Sequence, residues 1–454
     1  MIAMTLAEIA GVVGGTVDGD PDLVVDGPAY VDSRTQVPGG LFVAVVGERV
    51  DGHDYVDGAH AVLGSRPTGV PSVLVDDPVV ALGRLARHVV DRLDATVLAM
   101  TGSQGKTGTK DYLAQVLATA GPTIATAGNN NNEIGVPLTV LRADETTRFL
   151  VVEMGARGIG HIAYLCEIAP PRVAAVLNVG TAHVGEFGSR EAIAVAKGEI
   201  VEALPADGTA VLNASDELVI AMAARTAANV LTFGGADAAV RVSEVDTDDL
   251  GRPSFDLAVD GHRTRVRLPH SGVHQVMNAA AAAAMALAAE VPFSTIGPAL
   301  EAATTASPMR MELHERADGL LVINDAYNAN PASMTAALET LWQIGRARGR
   351  RTVAVLGEMR ELGDDAGRGH REVGLAAARL GVDVVVVVGE EAAGIADGYG
   401  RESILTAGRD EARAWVRENV RSGDVVLVKA SNGVALWTIA DELLADVEGD
   451  GTAP

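Results

Sequence analysis

Residues 101–107 read TGSQGKT and lie between a short apolar run, residues 96–100, and a helix-compatible segment, residues 109–119. A loop of this composition between a strand and a helix is typical of a phosphate-binding loop. Glycine lets backbone N–H groups curl around phosphate oxygens, the lysine reaches the β- and γ-phosphates, and the hydroxyl ligates Mg²⁺. The N-terminus of the following helix also favours an anion. The residues predicted to bind nucleotide phosphates with their Mg²⁺ are Gly102, Gly105, Lys106 and Thr107.

This loop departs from the usual pattern at one position. Its first glycine would stand five residues before Gly105, where the chain has Met100. A glycine-rich turn that binds no nucleotide is the alternative interpretation. The apolar run before the loop and the helical segment after it favour nucleotide binding.

Composition excludes several classes of protein. With 454 residues, 48% of them hydrophobic, the chain is predicted to fold into roughly two to four domains. The net charge of −24 argues against a nucleic-acid-binding protein, because no surplus of cations is available to neutralise phosphates. Cys166 is the only cysteine, which excludes internal disulfides and a cysteine-rich metal site. The N-terminus lacks the basic region of a signal peptide, and no apolar run could span a membrane. These features predict a cytoplasmic protein without membrane insertion.

Apolar runs that alternate with helical stretches predict an α/β protein with three domains. Residues 1–94 form a small α/β domain that begins with a capping-box pattern. Residues 95–308 form a central P-loop ATPase domain whose mainly parallel sheet is covered on both faces. Residues 309–454 form a second doubly wound, Rossmann-like domain, and ligands bind such sheets beyond the carboxyl ends of the strands. The strands predicted for the two larger domains are residues 96–100, 149–153, 173–179, 210–213, 230–233, 320–324, 352–356, 382–388 and 425–428.

Three polar residues of the central domain are candidates for chemistry. Glu153 ends an apolar run, and a carboxylate there is costly to bury unless it meets a metal ion or a hydrogen-bond donor. It is predicted to be a second Mg²⁺ ligand beside Thr107, with a strand-end salt bridge as the alternative. His183 follows residues 173–179 in the same way and is a candidate metal ligand, although it could be an ordinary loop histidine. Lys197, taken alone, is more typical of a solvated surface charge.

Three further stretches carry a resemblance to the Mur ligases, the ATP-dependent amide-forming enzymes of peptidoglycan synthesis. Residues 129–138 read NNNNEIGVPL, residues 326–333 read AYNANPAS, and residues 355–363 read VLGEMRELG. They resemble the members of the family that add D-alanyl-D-alanine. The TGxxGKT loop is the form shared by Mur and folylpolyglutamate ligases, which accounts for the missing first glycine. The resemblance covers essentially the whole chain.

The resemblance implies an activity. ATP would phosphorylate the terminal carboxylate of UDP-MurNAc-tripeptide, and the amine of D-alanyl-D-alanine would attack the acyl phosphate. The expected cofactors are ATP and two Mg²⁺, the expected partners are the two substrates, and the expected form is a monomer. Such a ligase serves cell-wall biogenesis, and through it cell shape and cell division. The alternatives are another Mur-type or folylpolyglutamate-type amino acid ligase, or a regulatory ATPase that makes no amide.

The resemblance also implies roles for the nucleotide and metal residues. Lys106 and Thr107 would hold the phosphates and the first Mg²⁺. The residues implied at the metal site are Glu153, His183 and Lys197, with Lys197 carbamylated. The residues implied around the rest of the nucleotide are His274 and Asn278 beside the adenine, with Arg310 and Asp325 over the γ-phosphate and ribose.

The substrate residues that the resemblance implies lie in all three domains. Ser33 and Arg34 would bind the uridine nucleotide, and Asn131 and Asn132 would face the muramoyl group. The third-domain residues that would contact substrate are Asn328, Asn330, Lys429 and Ser431. Each assignment has an alternative: residues 32–34 could form a local ion pair, Asn278 could cap a helix, and residues 328–331 could be a turn that leads into a helix.

One stretch departs from the family's pattern. Residues 429–432 read KASN, where the resemblance leads us to expect KGSR. Asn432 therefore stands in place of a guanidinium that could bind a carboxylate through two parallel hydrogen bonds. We expect weakened binding of the dipeptide carboxylate, unless another arginine takes that place.

Overall fold

The computed structural model describes residues 1–47, 49–180 and 187–445. Their strands form sheets of two, five, nine and six strands. The five-stranded sheet lies before residue 75, the nine-stranded sheet between residues 96 and 267, and the six-stranded sheet between residues 312 and 429. Both predicted domain boundaries therefore fall between sheets, and their exact positions stay predictions. Among the described helices we find none with the length and apolar character that crossing a bilayer requires.

The first domain is a small α/β unit. In its five-stranded sheet, of order β2-β7-β6-β5-β4, only β2 runs antiparallel to its neighbour, and β1 pairs separately with β3. The predicted capping box is present, since the Glu8 amide donates to Thr5 Oγ1 (3.2 Å) and the Thr5 amide to Glu8 Oε2 (2.8 Å). The elements are β1 (Met4–Thr5), α1 (Leu6–Val13), β2 (Thr16–Asp18), β3 (Val24–Val25), β4 (Ala29–Tyr30), β5 (Leu41–Val43), β6 (Ala61–Gly64), β7 (Ser72–Leu74) and α2 (Pro78–Arg92).

The central domain is built on the nine-stranded sheet, of order β16-β15-β14-β13-β12-β11-β8-β10-β9. Strands β8 to β14 are parallel, which agrees with the predicted mainly parallel sheet, although β9 and β14 were not predicted as strands. The last two strands, β15 and β16, continue the sheet in antiparallel fashion. The strands are β8 (Thr96–Thr101), β9 (Thr123–Ala125), β10 (Phe149–Glu153), β11 (Val173–Val176), β12 (Thr209–Asn213), β13 (Asn229–Gly234), β14 (Val240–Thr247), β15 (Pro253–Val259) and β16 (His262–Arg267).

Helices of the central domain pack on both faces of this sheet. The alanine-rich helix α8 packs against α3, the helix that follows the phosphate loop. Alanine permits this close approach, and most of the helix is completely buried. The helices are α3 (Lys106–Ala118), α4 (Gly135–Val140), α5 (His161–Ile168), α6 (Arg190–Glu202), α7 (Glu217–Ile220), α8 (Gln275–Ala288) and α9 (Phe293–Glu301).

The third domain is the doubly wound sheet that the sequence predicted, of order β17-β18-β22-β19-β20-β21. All of its neighbouring strands are parallel except β17, which runs antiparallel to β18. Helices α10 to α12 pack on one face, and α13 and α14 on the other. The elements are β17 (Glu312–Glu315), β18 (Leu321–Asn324), α10 (Pro331–Arg348), β19 (Thr352–Gly357), α11 (Ala366–Leu380), β20 (Val384–Val388), α12 (Gly394–Tyr399), β21 (Ile404–Thr406), α13 (Arg409–Asn419), β22 (Val425–Lys429) and α14 (Trp437–Ala445).

Two predicted strands are shorter than their apolar runs. The run 173–179 leaves the sheet after Val176, because Asn178 bonds instead to the phosphate loop. The run 382–388 joins the sheet only at Val384, since the Asp383 side chain accepts hydrogen bonds from Thr352. In both runs the apolar residues extend beyond the paired strand. The hydrogen bonds of a polar side chain, Asn178 or Asp383, set the point where strand pairing ends.

Candidate active site

A cleft with a volume of about 500 Å³ lies where the central and third domains face each other. Its walls bring together most of the predicted site residues of these two domains. Those in the walls are Gly105, Lys106, Thr107, Asn131, Asn132, Glu153, Lys197, His274, Asn278, Arg310, Asp325, Asn328, Asn330 and Lys429. His183 lies outside the described residues.

The phosphate loop forms one end of this cleft. Strand β8 ends at Thr101, and α3 begins at Lys106. Gly105 has a left-handed φ of 80°, and a Cβ there would collide with Oδ1 of Asn278, so this position requires glycine. The loop therefore has the backbone conformation and the packing that its sequence predicts.

Asn178 holds the phosphate loop in place. The Ser103 amide donates to the backbone carbonyl of Asn178 (3.1 Å), and the Gln104 amide donates to its side-chain Oδ1 (3.0 Å). Sequence reasoning missed this residue. The available signal was its position as the first polar residue of the run 173–179, much as Glu153 is the polar residue of the run 149–153.

Lys106 is the cation of the predicted phosphate loop. Its Nζ donates to the backbone carbonyl of Gly102 at 2.7 Å, which curls the side chain back over the loop. Burial lowers the pKa of the Lys106 ammonium, and the nearby Glu153 carboxylate opposes this effect. Glu153 therefore offsets only part of the cost of burying this cation, and an anionic phosphate would provide a further partner of opposite charge.

Glu153 lies next to Thr107 at the end of β10. Thr107 Oγ1 donates to Glu153 Oε2 (3.1 Å), and Asn131 Nδ2 donates to Glu153 Oε1 (2.8 Å). Both Thr107 and Glu153 are buried, and no cation of the described chain forms an ion pair with this carboxylate. The strand-end salt bridge, which was the alternative interpretation, is thus not found.

These oxygen donors suit Mg²⁺. A hydroxyl and a carboxylate are hard ligands, and protein-bound Mg²⁺ usually has one or two carboxylates, with waters and substrate phosphates completing the octahedron. Within the described ranges no three His, Cys, Asp or Glu side chains form a ready-made metal cage. The pair Thr107 and Glu153 therefore fits an ion that is bound together with a nucleotide.

Lys197 lies on α6 in the wall of the cleft and is only 5% exposed. The interpretation of this residue as a solvated surface charge is therefore wrong. Burial lowers its pKa well below the usual value, and the positive charge of Lys106 adds to the effect. No carboxylate of the described residues forms an ion pair with it, so a positive charge at this position would lack a counter-charge.

The third-domain wall carries its own charges. The Lys429 ammonium is 2% exposed and contacts Asp325 Oδ2 (2.7 Å) and the Asn328 carbonyl (2.7 Å). Burial lowers its pKa, and Asp325 opposes the shift. The Arg310 guanidinium lies 4.0 Å from the centre of the Tyr327 ring, and its buried Nε has no hydrogen-bond partner among the described residues. Arg310 is thus the wall's unsatisfied donor.

Asn330 and Gln104 connect the two walls. Asn330 Oδ1 accepts from the Ser333 amide (2.9 Å) and caps α10, and it also accepts from Gln104 Nε2 (3.2 Å) of the phosphate loop. The predicted turn into a helix is present here, and a substrate contact of Asn330 stays a prediction. Asn278 lies inside α8 rather than at its N-cap, where His274 stands, so the capping alternative for Asn278 is wrong. Burial lowers the pKa of His274.

Three predicted substrate residues lie apart from the walls of the cleft. Arg34 is 88% exposed and pairs with Asp32 at 2.6 Å, so the local ion pair suggested by residues 32–34 is present. Neither Ser33 nor Arg34 is in these walls. Ser431 is buried, and its Oγ accepts from the Arg360 amide (2.9 Å). Their substrate roles stay predictions.

The sequence and the fold are similar to those of known ligases. Residues 100–286 match the Mur ligase middle domain, and residues 309–432 match the family described as Mur ligase, glutamate ligase domain. A UDP-N-acetylmuramoyl-tripeptide–D-alanyl-D-alanine ligase of Mycobacterium tuberculosis (strain CDC 1551 / Oshkosh) is 44% identical, and the match covers 98% of each chain.

Solved structures extend this similarity to the whole fold. The crystal structure of MurF from Acinetobacter baumannii has a TM-score of 0.86 and 32% identity, covering 97% of this chain and 99% of that one. MurF ligase from Thermotoga maritima in complex with ADP has a TM-score of 0.78 and 30% identity, covering 93% of this chain and 98% of that one. All of these relatives are ligases.

Proposed function

The chain belongs to the Mur ligase family, and on this basis we propose that it joins D-alanyl-D-alanine to UDP-MurNAc-tripeptide in an ATP-dependent, ADP-forming step of peptidoglycan synthesis. The relative that is 44% identical bears the name of this reaction. The observation that carries the proposal is the cleft itself. It places the phosphate loop and Glu153 of the central domain opposite Arg310 and Asp325 of the third domain.

A carboxylate is a poor electrophile, so it must be activated before an amine can attack it. Transfer of the γ-phosphoryl group of ATP to the terminal carboxylate gives an acyl phosphate. The neutral amine of the dipeptide then attacks the acyl carbon, and phosphate leaves the tetrahedral intermediate. The chain's part in phosphoryl transfer is positioning and electrostatic stabilisation. Lys106 and the N-terminus of α3 would stabilise the phosphates, and the unsatisfied Nε of Arg310 would add a donor from the other wall.

Mg²⁺ would neutralise charge on the phosphoryl group during transfer. Thr107 and Glu153 are the residues that fit the first ion, as their buried oxygen atoms lie 3.1 Å apart. His183 and Lys197, together with the same Glu153, would hold the second ion. Asn131, which donates to Glu153, would hold that carboxylate in position.

Carbamylation of Lys197 is part of this proposal. A neutral lysine amine adds to CO₂ and releases one proton, which leaves a carbamate with one negative charge. Two features of the structure support this at Lys197: its side chain is only 5% exposed, and no carboxylate of the described residues forms an ion pair with it. Burial and the positive charge of Lys106 lower the pKa of its amine in the same sense. The carbamate would turn an unpaired buried amine into an anionic ligand beside cations.

The remaining assignments follow the layout of the chain. His274 and Asn278 would lie beside the adenine, and Asp325 with Arg310 would face the ribose and the γ-phosphate. Asn131 and Asn132 would face the muramoyl group, Ser33 and Arg34 the uridine nucleotide, and Asn328, Asn330, Lys429 and Ser431 the amine substrate. Lys429 would then have to exchange one of its present contacts. A cytoplasmic location, where ATP is supplied, and a monomeric form complete the proposal.

The test is a coupled phosphate-release assay with mass measurement of the product. The purified chain receives ATP, Mg²⁺, UDP-MurNAc-tripeptide and one amine at a time: D-alanyl-D-alanine, D-alanine, L-glutamate or a diamino acid. We expect product of the mass of UDP-MurNAc-pentapeptide, with the dipeptide as the preferred amine. Equal or better use of a single amino acid would overturn the dipeptide assignment and leave a broader ligase. ATP turnover without an amide product would favour a regulatory ATPase.

A further inference from the structure

In the third domain the carboxyl ends of β19 and β22 lie side by side, because these strands are parallel neighbours in the sheet. The chain leaves β19 towards α11 on one face and leaves β22 towards α14 on the opposite face. Connections that leave two adjacent parallel strands in opposite directions form a crevice, and doubly wound sheets bind their ligands in such crevices. The topology therefore indicates a ligand position here.

The two sides of this crevice are joined by hydrogen bonds. The Ser431 amide donates to the Glu358 carbonyl (3.0 Å), and the Arg360 amide donates to Ser431 Oγ (2.9 Å). A Cβ on Gly433 would collide with Nη1 of Arg360, so the guanidinium lies against the backbone of Gly433. Arg360 comes from the β19 side, yet its guanidinium lies against Gly433 on the β22 side, the residue after position 432, where the sequence has asparagine instead of the expected arginine.

The Arg360 guanidinium is available to a ligand. Its Nε donates to Glu358 Oε2 at 2.9 Å, which orients the group, and the side chain is 52% exposed. Within the described part of the chain, neither Nη atom donates a hydrogen bond. Two other third-domain cations near the cleft have contacts of their own: Lys429 pairs with Asp325, and the Arg310 guanidinium stacks on Tyr327 while its Nε has no partner among the described residues. A guanidinium with both Nη groups unused matches the two oxygen atoms of a carboxylate.

The amine substrate brings such a carboxylate. Its amino end must reach the acyl phosphate on the side of Lys106, so its carboxylate lies at the far end of the dipeptide, at most about 7 Å away along an extended backbone. Glu361, the residue after Arg360, and Lys429, the last residue of β22, both line the cleft, so the loops on both sides of the crevice adjoin it, although Arg360 itself is not among the lining residues.

From this arrangement we infer that Arg360 binds the carboxylate of the incoming dipeptide and replaces, from the opposite loop, the guanidinium that position 432 lacks. The inference rests on the proposed ligase function, because that function supplies the dipeptide. It makes Arg360 a residue that determines which amines are accepted: those with a free carboxylate one peptide unit beyond the attacking amine.

The test compares D-alanyl-D-alanine with its C-terminal amide, which lacks the negative charge, in steady-state kinetics of the full chain. Arg360→Gln should raise KM for the dipeptide about 10- to 100-fold, the cost of losing a charge-assisted contact. KM for ATP and for the amide should stay unchanged, so the preference for the acid disappears. Arg360→Lys keeps the positive charge but loses the two parallel N–H donors of the guanidinium, so it should retain part of that preference. Arg368→Gln is the matched control, an exposed arginine on α11 paired with Asp365.

A second variant separates recognition from folding. Adding Asn432→Arg to Arg360→Gln should restore the preference for the acid, because it returns a guanidinium from the other loop. An unchanged ratio of acid to amide in Arg360→Gln, with an active wild type, would overturn this inference alone. A wild type that makes no product from the dipeptide would instead overturn the proposed function.

Discussion

Each of the two walls of the cleft contains a buried lysine, and the two lysines differ in whether a carboxylate neutralises their charge. Lys429, in the third domain, pairs with Asp325 and also donates to the Asn328 carbonyl. Lys197, in the central domain, is nearly as buried, but the described residues offer it no counter-charge and Lys106 adds a second cation. A buried charge without a partner is costly. The central wall is therefore arranged for anions that arrive with the reaction, whereas the third-domain wall neutralises its lysine within the chain and, among the described residues, leaves the Arg310 Nε without a partner.

Of these variants, Lys106→Ala should have the largest effect on activity, and it alters the central wall of the cleft. It removes the point charge on the phosphates without opening a core, so turnover should fall at least about a thousandfold while the thermal unfolding temperature stays the same. Phosphate release and thermal melting measure the two effects, and Arg368→Gln provides the control. Activity within about tenfold of wild type, a difference in barrier of only about 1.4 kcal/mol, would contradict the assignment of this loop.

Lys197→Ala should lower activity by about two to three orders of magnitude, because it removes the proposed carbamate from the metal site. Added bicarbonate should not restore the rate, since no amine remains to carry the carbamate. A short carboxylate such as acetate should restore part of it. A carbamate signal from ¹³C-labelled bicarbonate should appear in the wild type and be absent from the variant. Electron density for an unmodified Lys197 amine in active enzyme would remove this hypothesis.

Lys429→Met tests how much the ion pair between Lys429 and Asp325 contributes to the stability of the protein. The substitution leaves the Asp325 carboxylate buried without its cation, and breaking a buried pair in this way costs about 3–5 kcal/mol. Chemical denaturation should show the loss. Adding Asp325→Asn removes the stranded charge while keeping an oxygen for the Met311 amide, so the double variant should recover part of the stability. If Lys429→Met were as stable as the wild type, the ion pair would contribute nothing to the stability of the third domain.

Asn432→Arg, in an otherwise unchanged chain, should have the smallest effect. A second guanidinium beside Arg360 should lower KM for the dipeptide a few-fold and leave KM for ATP unchanged. Steady-state kinetics with each substrate varied in turn measures both constants. A change in KM for ATP alone would place position 432 on the nucleotide side of the cleft and contradict the comparison.

Much of the fold was predictable because its signals are local. The phosphate loop has the conformation expected from its sequence, since its contacts, such as Lys106 with Gly102, lie within a few residues. Both doubly wound sheets followed from buried apolar runs. Strand β16 was not predicted, because its exposed positions carry charges such as Arg263 and Arg265 that hide the apolar alternation.

Burial was harder to predict than position. The chain has only four lysines, Lys106, Lys110, Lys197 and Lys429, and three of them are at most 5% exposed. Sequence reasoning passed over Lys110, whose ammonium donates to the Thr126 carbonyl and to Ser307 near the end of the central domain. The scarcity of lysine beside many arginines was the signal that could have drawn attention to it.

The sequence by itself determined the parts of this protein whose physics is local: the phosphate loop, the capping box at Thr5, and the carboxylate at the end of β10. Only the tertiary structure decided which charges are neutralised. Asp325 meets Lys429 across 104 residues of chain, and Arg360 meets Gly433 across two loops. The free energy of a buried charge depends on neighbours that the folded chain supplies, and a linear pattern does not contain them.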